Sequence, residues 1–344
     1  MKTDKASLPY VISRYFRIYL PGERGFSSNT ISSYRDTFRQ LLGFIRDTDG
    51  ISPEKLQMSE LSRNTIIGFL AKLEHDGKSI STRNQRLAAI KSFFGFVKYE
   101  YPEYLTNAHD ILAIHMKKQP LPIVSYMPPE AVGCLLRQPD ATKKSGYRDM
   151  LILTLMYDSA ARVSEITQVR VGDIRTQRPA AIVLHGKGQK DRAVPLSEKT
   201  ADLIQVYLDK EQLVKPECAN NLLFVNHSAR QLTREGISYI VKKYTTLARK
   251  INPDIIPEQF SPHCLRHSKA MHLLQAGVAL IYIRDILGHA SVTTTEIYAK
   301  VDSQGKRRAL ETAYSDIPIP DSVPTNSWNS DSSLMKFLQE LCDG

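Results

Sequence analysis

Four short stretches of the chain carry side chains suited to nucleophilic and acid–base work. They are ARVSEI with Arg162 and Glu165, GKGQK with Lys187 and Lys190, HCLR with His263 and Arg266, and LGHASVTTTEIYAKV with His289 and Tyr298. Arginine's planar fork pairs bidentately with phosphate or carboxylate and stays charged at any working pH. A tyrosine hydroxyl, with a free pKa of about 10, becomes a nucleophile only when a neighbouring base or a positive field helps it lose its proton. Histidine and lysine are side chains that move such protons. Each stretch also has an ordinary meaning. H-x-x-R is short enough to occur by chance, a GKG turn serves any hairpin, an arginine near a glutamate is commonly a surface ion pair, and a tyrosine is usually half-buried packing with a wet hydroxyl.

The elements that must position these groups are bounded by composition. A chain of 344 residues is long for one core, and domains of about 100–200 residues predict two. With 42% hydrophobic and 24% charged residues, there is apolar material for both cores. No run approaches the roughly 18 consecutive apolar residues of a membrane span. Arg14 and Arg17 interrupt the N-terminal apolar residues, which therefore lack the form of a secretory signal. The expectation is a cytoplasmic protein with no membrane partner. Cys134, Cys218, Cys264 and Cys342 form no CxxC pair, against a disulfide framework or a zinc ribbon. His263, Cys264, His267 and His272 cluster within one short segment, but neither HExxH nor a second ligand cluster accompanies them, so a metal enzyme is the weaker alternative. The net charge of +10 favours a polyanionic partner, nucleic acid first.

Periodicity predicts helices in SSNTISSYRDTFRQLLGFIRD, in LSRNTIIGFLAKLEHDG ending near Gly77, and in STRNQRLAAIKSFFGFVKYEYP stopping before Pro102. In the last, Leu87, Ile90, Phe94 and Val97 face inward, while Arg83, Arg86 and Lys91 lie elsewhere on the surface as candidate DNA contacts. HMKKQPLPIVSYMPPE has four prolines and no helical period, which predicts an extended connector. The domains are then 1–115, helical; 116–128, linker; 129–314, a second domain; and 315–344, a tether ending in the amphipathic stretch SSLMKFLQELC. In the second domain GYRDMLILTLMYDSAARVSEITQV is apolar on one side, and AAIVLHGKGQKDRAVPL predicts two strands around a Gly/Lys turn, a small antiparallel sheet around 181–196.

Taken together, in this order and with these surroundings, the four stretches resemble the active-site boxes of the tyrosine recombinases, the phage-integrase and Xer-type family. ARVSEI resembles the first-arginine box, GKGQKDRAVPL the lysine hairpin, SPHCLRHSKA the H-x-x-R box and LGHASVTTTEIYAKV the histidine and tyrosine box. All six expected polar positions are present. The resemblance implies a mainly α fold with a small antiparallel β-sheet, two domains forming a C-shaped clamp around duplex DNA.

It also implies roles. Tyr298 is the nucleophile that forms a 3′-phosphotyrosine, Arg162 and Arg266 clamp the phosphate, and His263 is the base. Lys187 is the general acid, with Lys190 as the alternative. His289 bonds a nonbridging oxygen, and Glu165 holds Arg162. No metal, ATP or other cofactor is expected. The implied partners are double-stranded recombination sites, a homotetramer spanning two duplexes with the C-terminal segment docked on a neighbour, and accessory proteins; the implied place is the nucleoid. A mobile-element integrase is the expected role, with Xer-type dimer resolution as the alternative. A type IB topoisomerase and a non-catalytic DNA-binding regulator are weaker readings.

Overall fold

The computed structural model describes residues 7–119, 124–186, 191–258, 260–302 and 307. It divides into two compact units, Met1–Leu121 and Pro122–Gly344; the division falls inside the proline-rich connector.

In the first unit α1 (Leu8–Arg14) runs on as a π-helical stretch (Tyr15–Glu23), followed by α2 (Ser28–Asp49), α3 (Arg63–His75), α4 (Ile80–Glu100) and α5 (Leu105–Leu112). Three of these start alike. Ser27, Ser62 and Ser79 each accept the backbone N–H of a threonine three residues on, at 3.4, 3.2 and 3.2 Å, a cap whose loss typically costs about 1 kcal/mol. The helix over 8–23 is not among the three that periodicity predicts. Its buried positions Leu8, Val11 and Tyr15 have helical spacing, but Pro21 lies inside it and would argue against continuation. α4 lies in the core. Leu87, Ile90, Phe94 and Val97 are fully buried as predicted, and the Phe93 ring meets Tyr15 and Phe38 edge-on at 5.2 and 5.0 Å.

The polar side of α4 corrects the sequence reading. Arg83 is 7% exposed. Its Nε donates to Glu74 Oε1 at 3.0 Å, and its Nη1 donates to Asn84 Oδ1 at 3.1 Å and to the His115 carbonyl at 3.5 Å. Asn84 in turn exchanges two hydrogen bonds with the Lys117 backbone, at 2.8 and 3.1 Å. Arg83 is therefore a buried clasp between α3, α4 and the start of the connector, not the surface residue that periodicity predicts. Arg86 Nη1 is spent on the Ser33 carbonyl and Thr37 Oγ1, at 3.1 and 3.0 Å, which ties α4 to α2. Lys91 is half-buried on the same helix.

The second unit opens with the end of the connector, where Val124 and Met127 are buried and the Met127 N–H donates to Ser268 Oγ at 2.9 Å. Then come α6 (Pro129–Leu136), α7 (Lys144–Asp158), α8 (Val163–Ile166), β1 (Ile174–Arg175), β2 (Ala181–His185), β3 (Asp191–Pro195), α9 (Glu198–Lys210), α10 (Arg234–Ile251), α11 (Pro262–Gln275), α12 (Leu280–Leu287) and α13 (Glu296–Val301). The predicted sheet holds β2 and β3, and β1 adds a third strand; the order is β1-β2-β3, all antiparallel. Ile182 pairs with Val194, so both send their side chains into the core. α7 is buried on more than the one side predicted, since Leu151, Ile152, Leu153 and Leu155 are all enclosed. α11 packs on α6, α7, α10, α12 and α13, which makes it the axis of the site described below. Lys187, Lys190 and SSLMKFLQELC lie outside the described residues.

Arg83→Ala should lower the unfolding free energy of the first unit by about 1–3 kcal/mol, the scale of hydrogen bonds to charged groups. Urea denaturation measures it. A loss of DNA affinity with unchanged stability would restore Arg83 as a contact.

Candidate active site

The site is built on the C-terminal end of α12. The last carbonyls of a helix lack partners within it and carry the negative end of its dipole. Here three successive carbonyls each accept from a different arginine. Arg192 Nε donates to Ile286 at 2.8 Å, Arg266 Nη2 to Leu287, and Arg162 Nη2 to Gly288 at 3.1 Å. Arg266 Nη1 also donates to the Ala160 carbonyl at 2.8 Å. Ala160 has φ 50°, a left-handed conformation that costs an L-residue roughly 1–2 kcal/mol.

Glu165 gathers two of the same arginines. It is 4% exposed and accepts from the Arg162 backbone N–H at 2.7 Å, Arg162 Nη1 at 2.8 Å, and both terminal nitrogens of Arg192 at 2.8 Å each. Burial alone would raise its pKa, but the Arg192 and Arg162 hydrogen bonds hold the carboxyl below the usual range. For Arg266 the balance goes the other way: burial first, then the charges of Arg162 and Arg192, push its pKa down to about 9. Gly288 is required twice over. Its φ is +60°, and a Cβ there would stand 2.9–3.2 Å from the Arg192 side chain.

Around this clamp stand the remaining groups. His263, one turn before Arg266 on α11, keeps an exposed surface, but the protein packed around part of it desolvates the ring and, with the charges of Arg266 and Arg162, lowers its pKa. His289 Nδ1 lies 3.0 Å from Thr295 Oγ1; burial and the arginines push its pKa to about 4. Thr295 is fully buried, and Ser291 Oγ accepts the Thr293 N–H at 3.2 Å, so the hydroxyl-rich run between His289 and Tyr298 is a set of local fasteners. Tyr298 is 1% exposed, packed against Ala160, Ala270, Met271, Ile283 and Leu287, with its hydroxyl 2.8 Å from His267 Nδ1. Burial raises the Tyr298 pKa, while Arg266 opposes the rise. An open cleft of about 560 Å³ is lined by Arg162, Arg192, Arg284 and His289 together with Asp191 and Asp285; Arg284 is paired with Asp285 at 2.6 Å, which leaves Arg162 and Arg192 as its basic wall.

Of the residues predicted from sequence, Arg162, Glu165, His263, Arg266, His289 and Tyr298 come together here. Arg192, His267 and Thr295 were not predicted. Arg192 has a visible signal, since it shares strand parity with buried Val194 and so faces inward. The histidine cluster weighed for a metal is spread over other tasks: Cys264 bonds Ser261, His267 meets Tyr298, and His272 Nδ1 lies 2.9 Å from the Tyr157 hydroxyl. Among the described residues no three His, Cys, Asp or Glu side chains are placed to hold a metal ion.

Family comparison agrees with this geometry. Residues 126–304 match the phage integrase family, and residues 12–100 match the phage integrase N-terminal SAM-like domain. The chain is 34% identical over 340 residues to y4rC of Sinorhizobium fredii, described as an integrase/recombinase, covering 98% of this chain and 100% of that one. It is 33% identical over 296 residues to the tyrosine recombinase XerD of Oceanobacillus iheyensis, covering 86% and 94%. The chain is a tyrosine recombinase of the phage integrase family. It is accordingly an enzyme of site-specific DNA recombination. Solved structures share the recombinase fold. XerH site-specific recombinase bound to its difH substrate superposes with a TM-score of 0.63 at 24% identity, over 83% of this chain and 80% of that one. The Tn1549 transposon integrase in complex with a circular intermediate DNA gives 0.66 at 14%, over 88% and 99%. Among the described residues no helix is long and apolar enough to cross a membrane.

In this recombinase Arg192→Lys loses the two-pronged hold on Glu165. It should slow covalent DNA cleavage by about 10²-fold, the scale of a misplaced catalytic group, with DNA binding retained; an unchanged cleavage rate would show that Glu165 stays in place without it. The histidines set a pH dependence. The unfolded chain takes up protons on His267 and His289 below about 6.5, whereas the folded site refuses them until about 4. Stability therefore falls as pH drops through that window and is level above it. The thermal midpoint of the protein without DNA should decrease from pH 7 to pH 5, and by less in a His289→Gln variant.

Proposed function

We propose that the recombinase cuts a DNA strand by attack of the Tyr298 hydroxyl on a phosphodiester, forming a 3′-phosphotyrosine and releasing a 5′ hydroxyl. Arg162 and Arg266 hold the nonbridging oxygens, His263 and His289 border the same phosphate, a histidine of α11 takes the phenolic proton, and Lys187 protonates the leaving oxygen. Glu165 orients Arg162 without taking part in the chemistry. The observation that supports this reading best is the seating of Arg162 and Arg266 on adjacent carbonyls, Gly288 and Leu287, beside His289 and the Tyr298 hydroxyl. Two fixed guanidinium groups so placed stabilise charge that develops on phosphate. Because the phosphotyrosine keeps the energy of the broken bond, rejoining by another strand's 5′ hydroxyl needs no ATP, and the arginines supply the charge that a metal would.

The partners in this reading are double-stranded recombination sites, bound by a homotetramer spanning two duplexes, with SSLMKFLQELC docking on a neighbouring protomer and accessory proteins assisting. The place of action is the nucleoid in the cytoplasm. The role is integration and excision of a mobile element, supported by end-to-end similarity to an integrase/recombinase over 98% of this chain, against 86% for XerD. Xer-type dimer resolution is the second reading, favoured by the 33% identity to XerD.

A nicked suicide substrate tests both layers. Tyr298→Phe should bind DNA and form no covalent adduct, and Arg266→Ala should lose about 10³–10⁵ in adduct rate, as for transition-state arginines in other phosphoryl transfers, with affinity reduced far less. An adduct formed by Tyr298→Phe removes Tyr298 from the role. Adduct on DNA spanning the joined ends of the segment that carries the gene supports the mobile element; adduct only on a chromosomal resolution site supports the second reading.

A further inference from the structure

We propose that His267 is a further catalytic residue, the group that takes the proton from Tyr298 as its hydroxyl attacks phosphorus. The inference rests on the reading of Tyr298 as the nucleophile and moves the base role from His263, named from sequence, to the histidine one turn later.

Geometry carries it. Among the described residues the Tyr298 hydroxyl has one hydrogen-bond partner, His267 Nδ1 at 2.8 Å; no such bond joins it to His263. The two rings lie 5.7 Å apart between centroids and are tilted by 56°, so the contact is through the polar edge rather than by stacking. His267 follows Arg266 directly on α11, and α13, which carries Tyr298, packs on the same helix. Clamp, base and nucleophile are thus referenced to one rigid element, as proton transfer over a hydrogen bond requires.

The charged and titratable groups facing His267 are Tyr298 from α13, His263 and Arg266 from its own helix, and His289 from the segment after α12. Burial, His263 and Arg266 hold the His267 pKa at about 4, so at neutral pH the imidazole is uncharged, and the tautomer that carries its proton on Nε2 is the one whose Nδ1 lone pair accepts from the phenol. A weak base suits the resting site, because it leaves the phenol protonated. An incoming phosphodiester brings a negative charge that offsets the arginines and strengthens the base where it is needed. The step balances. The proton passes from Tyr298 Oη to His267 Nδ1, the bond from Oη to phosphorus forms, the bond from phosphorus to the 5′ oxygen breaks, and Lys187 gives that oxygen its proton. Rejoining reverses each transfer, and His267 returns the proton to the departing phenol.

The test is the rate of covalent adduct formation on a suicide substrate whose 5′ bridging oxygen is sulfur, which leaves without protonation and removes the general acid from the comparison. His267→Ala should be slower than the parent by about 10²–10⁴-fold at pH 7, the usual contribution of a general base. Its rate should climb about tenfold per pH unit as hydroxide takes over, while the parent rate stays level. His267→Asn keeps a polar acceptor near the Nδ1 position but cannot take the proton, and should be as slow as the alanine variant with the same slope; it also serves if the alanine variant fails to bind a half-site in a gel shift. A parent-like rate in either variant, or a slow rate with the parent's level pH profile, overturns the proposal. Adduct formation by Tyr298→Phe would instead overturn the reading beneath it.

Discussion

Everything in the catalytic unit depends on holding three guanidinium groups next to one another. Arg162, Arg192 and Arg266 bring three positive charges and Glu165 returns one negative charge. The C-terminal end of α12 contributes roughly half a charge more of the same sign. The site is left with an uncompensated positive field. That field adds to burial, the larger cause, in bringing the Arg266 pKa down to about 9, although arginine ordinarily stays protonated above 12. Such a cluster would drive itself apart without fixed acceptors, and the carbonyls of Ile286, Leu287 and Gly288 are those acceptors. The missing charge is what a phosphate brings.

Burial and, after it, the same field lower the pKa values of the histidines. His263, His267 and His289 lie in it and are held neutral, which keeps their lone pairs available and keeps further positive charge out of the site. Tyr298 is shielded by apolar neighbours from Ala160 to Leu287, which protects a reactive hydroxyl from water at the cost of raising its pKa. One anion entering the cleft acts on all of these at once: it satisfies the arginines and eases the protonation of the histidines.

Much of this was legible in the sequence. Side-chain caps at Ser27, Ser62 and Ser79 and the inward row Leu87, Ile90, Phe94 and Val97 follow from local chemistry and helical period, which act within a few residues. The polar residues of the four boxes could be read because their spacing and neighbours resemble a family. Three things could not be read. Periodicity says that Arg83 is on the polar side of α4, not that Glu74 and the 115–117 backbone will enclose it. The acceptors that seat the arginines are backbone carbonyls, which every residue has, so no residue type announces them. His267 was visible as a histidine one turn from His263, but only the packing of α13 on α11 shows that its partner is a phenol rather than a metal.

The arginine seats also join parts of the chain that are far apart in sequence. Arg162 and Gly288 are separated by 126 residues, and Ala160 and Arg266 by 106. On a ribosome the first unit, with its own core, can fold long before the carbonyls of α12 are made. A nascent chain therefore holds no assembled arginine cluster until its synthesis is nearly complete. A recombinase is in this way kept inactive while it is being made, and a prematurely terminated product can carry a folded first unit but not the assembled site.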